Sequence, residues 1–228
     1  MNGAELYAAR LAAWAPGIES SGEWEQWAQG KREIASGTKG PEITFTDSLF
    51  RRRLSVISRM TVQVVHDLLP VEANAKMLFV SFRGELVRQY QINKMLIEEK
   101  ALMPAAFSLS VFNAPPALAS IALGLKGGYS ALYPGNNSFA AALAAAEASL
   151  LKEAGELIFV YADEEAPPEY RCFFKECPPA LAFAVLLTRN PQSSSISLSS
   201  FKEVDGPTGS PLDFLRRLLL RGKIHASS

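Results

Sequence analysis

Four stretches of this chain carry side chains that could do chemistry. The first is the turn Pro134-Gly135-Asn136-Asn137-Ser138. It lies between an alternating aromatic run at 129–133 and an alanine-rich apolar run at 139–151. The first run reads as a short strand and the second as a helix reaching Gly155, a C′ residue. Pro134 and Gly135 break the strand, and Asn136, Asn137 or Ser138 can cap the helix. Such a joint offers free amides and the positive end of a helix dipole, which stabilise a thiolate or an oxyanion. The nucleophile is missing, however. The turn has no cysteine, and Ser138 has no histidine near it in sequence. An ordinary strand-to-helix turn fits the stretch, as does an anion at the helix end.

The second stretch is Asp163-Glu164-Glu165, three carboxylates where a strand ends. Pro167 and Pro168 follow, so an exposed acidic loop is expected rather than metal or acid chemistry. The third is the irregular segment 169–179 with Cys172 and Cys177, where a reactive thiol would have only Arg171 and Lys175 to lower its pKa. The fourth, Arg51-Arg52-Arg53, has the charge to hold a phosphate but reads as the solvated or ion-paired first turn of a helix. His66 has no paired acid or second histidine beside it and reads as structural or exposed, and His225 has no motif around it.

Composition narrows the classes. The chain has 228 residues, of which 48% are hydrophobic, so a sizeable core is expected and disorder is not. Basic and acidic residues balance at 23 each, which gives no support for nucleic acid or an anionic membrane as partner. There is no run of ~18 uncharged apolar residues and no secretory leader pattern, so no membrane span is expected. Two cysteines make no disulfide framework, and a zinc site would need about four ligands where only two cysteines and two histidines are available in all, so no metal is expected. These counts fit a reducing cytoplasm.

Several elements must position those residues. Strands are expected at 6–14, 77–82, 157–161, 180–187 and 195–201, besides 129–133. A short helix carries Trp24 and Trp27 on one face. A long helix is expected from Asp47 or Ser48 to about Leu69, stopped by Pro70. Residues 84–100 read as a helix with Leu86, Tyr90, Ile92 and Leu96 inward. Asn113 with Pro115 and Pro116 starts a helix at 114–123, ending at Gly124. A last amphipathic helix spans 211–221. The helix after Ser138, apolar nearly all round, belongs in a core. This alternation is that of an α/β fold with a mixed sheet.

The stretch 104–162 resembles the N-terminal half of a β-ketoacyl synthase of the thiolase-like superfamily. Ser110-Val111-Phe112-Asn113 with residues 117–122 resembles the segment before the family's nucleophile strand. Gly124-Leu125-Lys126-Gly127-Gly128 resembles its Gly-Leu-x-Gly-Pro turn, and Tyr129-Ser130-Ala131-Leu132 then leads into the turn and the alanine-rich helix. The Trp24 helix and Arg51-Arg52-Arg53-Leu54-Ser55 extend the resemblance toward the N-terminus. It implies one ketosynthase N-terminal-half-like domain over 1–228, a thiolase-like half with helices on both faces of a mixed sheet.

Two departures bear on activity. The family's Thr-Ala-Cys-Ala elbow would place its acyl-bearing cysteine at Gly135. Two catalytic histidines come from the family's second half, and no residue here corresponds to them. The chain therefore looks like the short, cysteine-less chain-length factors of aryl-polyene pathways. The resemblance implies a non-catalytic subunit paired with an active ketosynthase, or with itself, that meets acyl carrier protein only indirectly and needs no cofactor. Phe107, Phe112, Asn113, Tyr129, Tyr133, Asn136, Asn137 and Ser138 are then candidates for the acyl tunnel or dimer interface. An acyl-thioester enzyme using Ser138 or Cys172, or an anion-binding α/β module, is the alternative.

Overall fold

Two uninterrupted apolar strands anchor the sheet. β4 (Glu156–Asp163) is buried from its second residue on, and β5 (Leu181–Thr188) along its whole length. Strands this apolar belong in the middle of a sheet covered on both faces. A computed structural model describes residues 6–72, 74–100, 104–135, 139–152, 155–174, 177–190, 195–198, 209–221 and 226–227. Among these residues the sheet has seven strands in the order β3-β2-β4-β5-β1-β6, with β7 beside β1. The other strands are β1 (Tyr7–Trp14), β2 (Lys76–Val80), β3 (Tyr129–Leu132), β6 (Ile196–Ser197) and β7 (Ala226–Ser227). β3, β2 and β4 run parallel, whereas β5 is antiparallel to both β4 and β1.

The pleat divides β4 between two cores. Ile158, Val160 and Ala162 face α3 (Val56–Leu68) and α6 (Ala114–Leu123). Leu157, Phe159 and Tyr161 face α1 (Ser21–Ala28), α7 (Phe139–Lys152) and α8 (Pro211–Leu220). Phe139 keys the second core, with ring centroids 5.4 to 6.3 Å from Phe159, Tyr161, Phe183 and Phe214. α1 starts with a capping box of Ser20 and Glu23, and its Trp24 and Trp27 are buried edge to face at 5.6 Å. The mixed sheet with helices on both faces is the expected α/β architecture.

The structure corrects several expectations. The long helix is two, α2 (Ser48–Arg53) and α3, because Ser55 is extended and accepts from the Ser58 amide as an N-cap. Arg51, Arg52 and Arg53 thus end a helix rather than begin one. In α4 (Leu86–Glu98) only Ile92 is buried, while Leu96 is exposed. A further short helix, α5 (Pro104–Ser108), was not anticipated, nor was β7. Asn113 holds the N-cap position of α6 but makes no capping bond through its side chain. α7 is not apolar-buried all round: Phe139, Ala142, Ala146 and Leu150 face the core, while Ala140, Ala141, Ala144 and Ala148 face solvent. Gly155 has φ 146°, which is not the left-handed cap conformation.

Replacing Phe139 with Ala should cost ~3–5 kcal/mol, because four rings lose their shared neighbour. Ile97→Ala on exposed α4 should stay within ~0.5 kcal/mol of the parent. Urea unfolding of both variants checks the contrast.

Candidate functional site at the carboxyl edge of the parallel strands

In open α/β sheets the carboxyl ends of parallel strands form the usual ligand crevice. Here the register aligns Val80 with Leu132 on one side and with Tyr161 on the other, so β2 and β3 end together and β4 runs two residues further, to Asp163. The chain leaves β2 toward the α6 face and leaves β3 toward the α7 face, a switch in direction between neighbouring strands.

The turn after β2 is built on one carboxylate. Asp163, the last residue of β4, accepts from Ser81 Oγ at 2.6 Å and the Arg83 amide at 3.0 Å through Oδ1. Its Oδ2 accepts from the Phe82 amide at 3.1 Å and the Tyr161 hydroxyl at 2.9 Å. Ser81 Oγ in turn accepts from the Gly84 amide at 2.6 Å. Gly84 is in the left-handed region (φ 55°), and a Cβ there would sit 2.6 Å from the Phe112 ring. Only glycine lets the turn approach that ring. Burial nonetheless raises the Asp163 carboxyl above its usual range, against the lowering pull of Arg83 and Ser81. Burial and the Asp163 charge push the Tyr161 hydroxyl well up.

A second carboxylate opens α4. Glu85 Oε1 accepts from Ser55 Oγ at 2.7 Å and Ser58 Oγ at 2.9 Å, tying α4 to the start of α3. Arg88 lies 3.7 Å from Glu85 Oε2 and donates to the carbonyls of Leu109 and Arg53 at 3.0 and 2.8 Å. Burial raises the Glu85 carboxyl, and Arg88 opposes the shift. Glu164 completes the cluster. It is 4% exposed, and its Oε1 has no hydrogen-bond partner among the described residues. Burial, with Glu85 and Asp163 close by, pushes its carboxyl up to about 8. Arg83 bonds the Glu164 carbonyl at 2.6 Å and lies over the Phe174 ring.

The expected exposed acidic loop is therefore a buried polar cluster. Asp163 is held by backbone amides and hydroxyls beside Arg83, and Glu85 by Ser55, Ser58 and Arg88; Ser81, Arg83, Gly84, Glu85 and Arg88 were not among the sequence candidates. One signal was available. Two buried parallel strands each end in a polar group, Ser81-Phe82-Arg83-Gly84-Glu85 and Asp163-Glu164, and parallel neighbours bring such ends together. Three of the four Asp163 bonds hold the turn and the fourth takes the Tyr161 hydroxyl, so the carboxylate is not free to act as a base.

The sequence candidates fall around this edge. Gly135 follows β3 with φ 65°. Asn136, Asn137 and Ser138 lie outside the described residues. Tyr129 on β3 and Tyr133 just after it are 38% and 58% exposed, and Phe107 is 57% exposed on α5. Phe112 instead packs on Phe79 at 6.1 Å, and Asn113 is exposed. Cys172 and Cys177 are exposed free thiols, Cys172 within a 3-10 turn (Pro168–Phe173). His66 stacks on Phe45 at 3.7 Å and has an acid after all, with Nδ1 2.9 Å from Asp67. His225 lies outside the described residues.

Glu164 sets a pH dependence with a definite sign. Its folded pKa of about 8 stands above the ordinary 4.5, so folding takes up a proton between these values. The stability this contributes is complete below the unfolded pKa and is lost as pH rises through the folded one. Glu164→Gln removes the titration. The variant should gain on the parent by ~2 kcal/mol or more between pH 5 and pH 8.5. Urea midpoints across that range read the effect, and parallel pH profiles would refute the assignment. Some decline persists in the variant, because Asp163 and Glu85 are also raised.

Comparison with known proteins places this geometry. Residues 24–211 match the family described as beta-ketoacyl synthase, N-terminal domain. No curated protein matches the chain. Among solved structures, the ketosynthase ApeO in complex with its chain length factor ApeC from Xenorhabdus doucetiae is 26% identical at a TM-score of 0.74, covering 96% of this chain and 92% of that one. The ishigamide ketosynthase/chain length factor shares the fold at 12% identity and TM-score 0.55, covering 83% of this chain and 62% of that one. So does the acyl-carrier protein complex AntDE:AntF of a type II polyketide synthase, at 15% identity and TM-score 0.55, covering 81% of this chain and 63% of that one. With 24–211 matched, a thiolase-like sheet and a β3–α7 joint at the carboxyl edge, the chain belongs to the β-ketoacyl synthase N-terminal domain family.

Proposed function

We propose that this chain is a non-catalytic, chain-length-factor-like subunit that pairs with an active ketosynthase in an acyl carrier protein-dependent pathway of the aryl-polyene type. The observation that carries the reading is the open edge of β3. Among the described residues the strand pairs with β2 on one side only, and Tyr129 on it, Tyr133 just after it and Ile121 on the adjoining α6 are large, apolar or aromatic, and exposed. An unpaired edge with apolar neighbours is a ready site for another chain. The similarity to a ketosynthase and chain-length-factor complex over nearly the whole chain supports the same reading.

Gly135 takes the position of the acyl-bearing cysteine and supplies no nucleophile. The chain acts as a single unit in the cytoplasm, and its contribution is shape. Tyr129 and Tyr133 face the partner. Phe107, Phe112 and Asn113, with Asn136, Asn137 and Ser138 after the turn, line the interface or the acyl tunnel. The partner performs the condensation.

The test is assembly. Sedimentation at low micromolar concentration should show a dimer, with the ketosynthase where it is supplied and with a second copy where it is not. Tyr129→Arg with Tyr133→Asp, both at exposed positions, should leave the thermal midpoint within a few degrees and weaken association at least ~tenfold. A stable parent monomer that ignores ketosynthases in pull-downs would count decisively against the reading. Gly135→Cys should remain without condensing activity when assayed alone, and covalent labelling of the parent by a radiolabelled acyl thioester would restore the enzyme alternative.

A further inference from the structure

We propose that the groove between α2 and α4 docks an amphipathic helix of a protein partner, with the acidic N-terminal end of that helix over Arg52 and Arg53. The groove measures about 540 Å³ and lies open along α4, closed on its other sides by the end of α2 and by α5 with Leu109. None of its lining residues belongs to β3, and it is a second surface beyond the pairing proposed above.

Three observations define the occupant. The walls are tied together in advance: Arg88 on α4 bonds the Arg53 carbonyl on α2 and the Leu109 carbonyl beyond α5. Gln89 adds a bond to the Ser110 carbonyl at 2.9 Å. A groove with fixed walls loses little freedom on binding. Its floor is apolar, formed by Ile92, Met95 and Leu109, and Leu96 and Ile97 on the same helix leave large apolar surface in water. A floor spaced along one helix suits anchors at i, i+3 and i+7 of another.

Charge sets the direction. At one end Arg52 and Arg53 are exposed, and neither guanidinium has an ion-pair partner among the described residues. At the other end stand Glu98 and Glu99, with Glu98 paired to Lys94 only at 4.0 Å. The eleven residues from Arg88 to Glu98 span ~15 Å of helix, about three turns. Helices commonly carry acids in their first turn and bases in their last, matching their own dipole. A partner helix of that kind, lying with its acids on the arginines and its bases on the glutamates, satisfies both ends. A small anion would use the arginines alone and leave the floor bare.

The test uses the full chain and two stapled peptides of ~14 residues, long enough for the groove. Both carry the same leucine seam. One has aspartates at its N-terminal end and lysines at its C-terminal end, and the other has these exchanged. Fluorescence anisotropy should show the acid-first peptide binding at least ~tenfold more tightly, with the preference weakening in high salt. Arg52→Glu with Arg53→Glu should reverse the preference toward the exchanged peptide, with an unchanged thermal midpoint as the folding control. Equal binding of the two peptides, binding of neither, or an unchanged preference in the double variant would overturn the proposal. Ketosynthase pull-down with the same variant should match the parent, so failure here is distinguishable from failure of the β3 pairing.

Discussion

The carboxylate of Asp163 holds the end of β4 against the turn that follows β2, and the carboxyl edge depends on that contact. Three of its hydrogen bonds fold residues 81–84 into a tight turn, a fourth ties it to Tyr161, and the turn sets where Glu85 starts α4. Glu85 then reaches back to Ser55 and Ser58, and Arg88, one turn further on, fixes Arg53 and Leu109. One buried acid thus indirectly locates α4, the break between α2 and α3, and the approach to α6. Buried polar groups of this kind stabilise only when they are satisfied. Asp163 is saturated, whereas Glu164 beside it is not and relieves the strain by keeping its proton.

The polar cluster and the apolar sheet play different roles. The two cores give most of the driving force, through buried aliphatic and aromatic area on both faces of β4 and β5. They place little constraint on α4, which buries Ile92 alone. The directional bonds from Glu85 and Arg88 hold it instead. That division explains how a helix with exposed Leu96 and Ile97 keeps a defined position, and why its outer surface is available to something else.

Much of the fold was legible in the sequence because periodicity and punctuation agree there. The runs that become β2, β4 and β5 are continuous and apolar, and Pro134 with Gly135 marks the joint after β3. The errors share one cause, which is that local pattern cannot report long-range polar partners. Pro167 and Pro168 suggested an exposed acidic loop, but Asp163 is buried by bonds to residues about eighty positions away. Ser55 sits in a helical pattern, yet its capping bond to Ser58 ends the pattern there. The alanines of α7 are small enough to pass as core on every side, and only the sheet on one face decides which are covered. At the joint itself the sequence located Gly135 and the open strand beside it, whereas the buried cluster next to them became visible only through the register of β2 against β4.

The place of β1 in the sheet has a consequence for how the protein is made. β1 comes early in the chain yet lies between β5 and β6, with Tyr7 opposite Thr188 and Ser197. Its partners emerge from the ribosome some 180 residues later. At the usual ~5–20 residues per second, that is a wait on the order of ten seconds or more. During that interval Leu11, Ala12 and Ala13, all buried in the finished sheet, have no strand to pair with. Folding governed by contacts so distant in sequence is slow, and sheet closure falls late in synthesis. The nascent N-terminal segment is then the part most in need of chaperone cover.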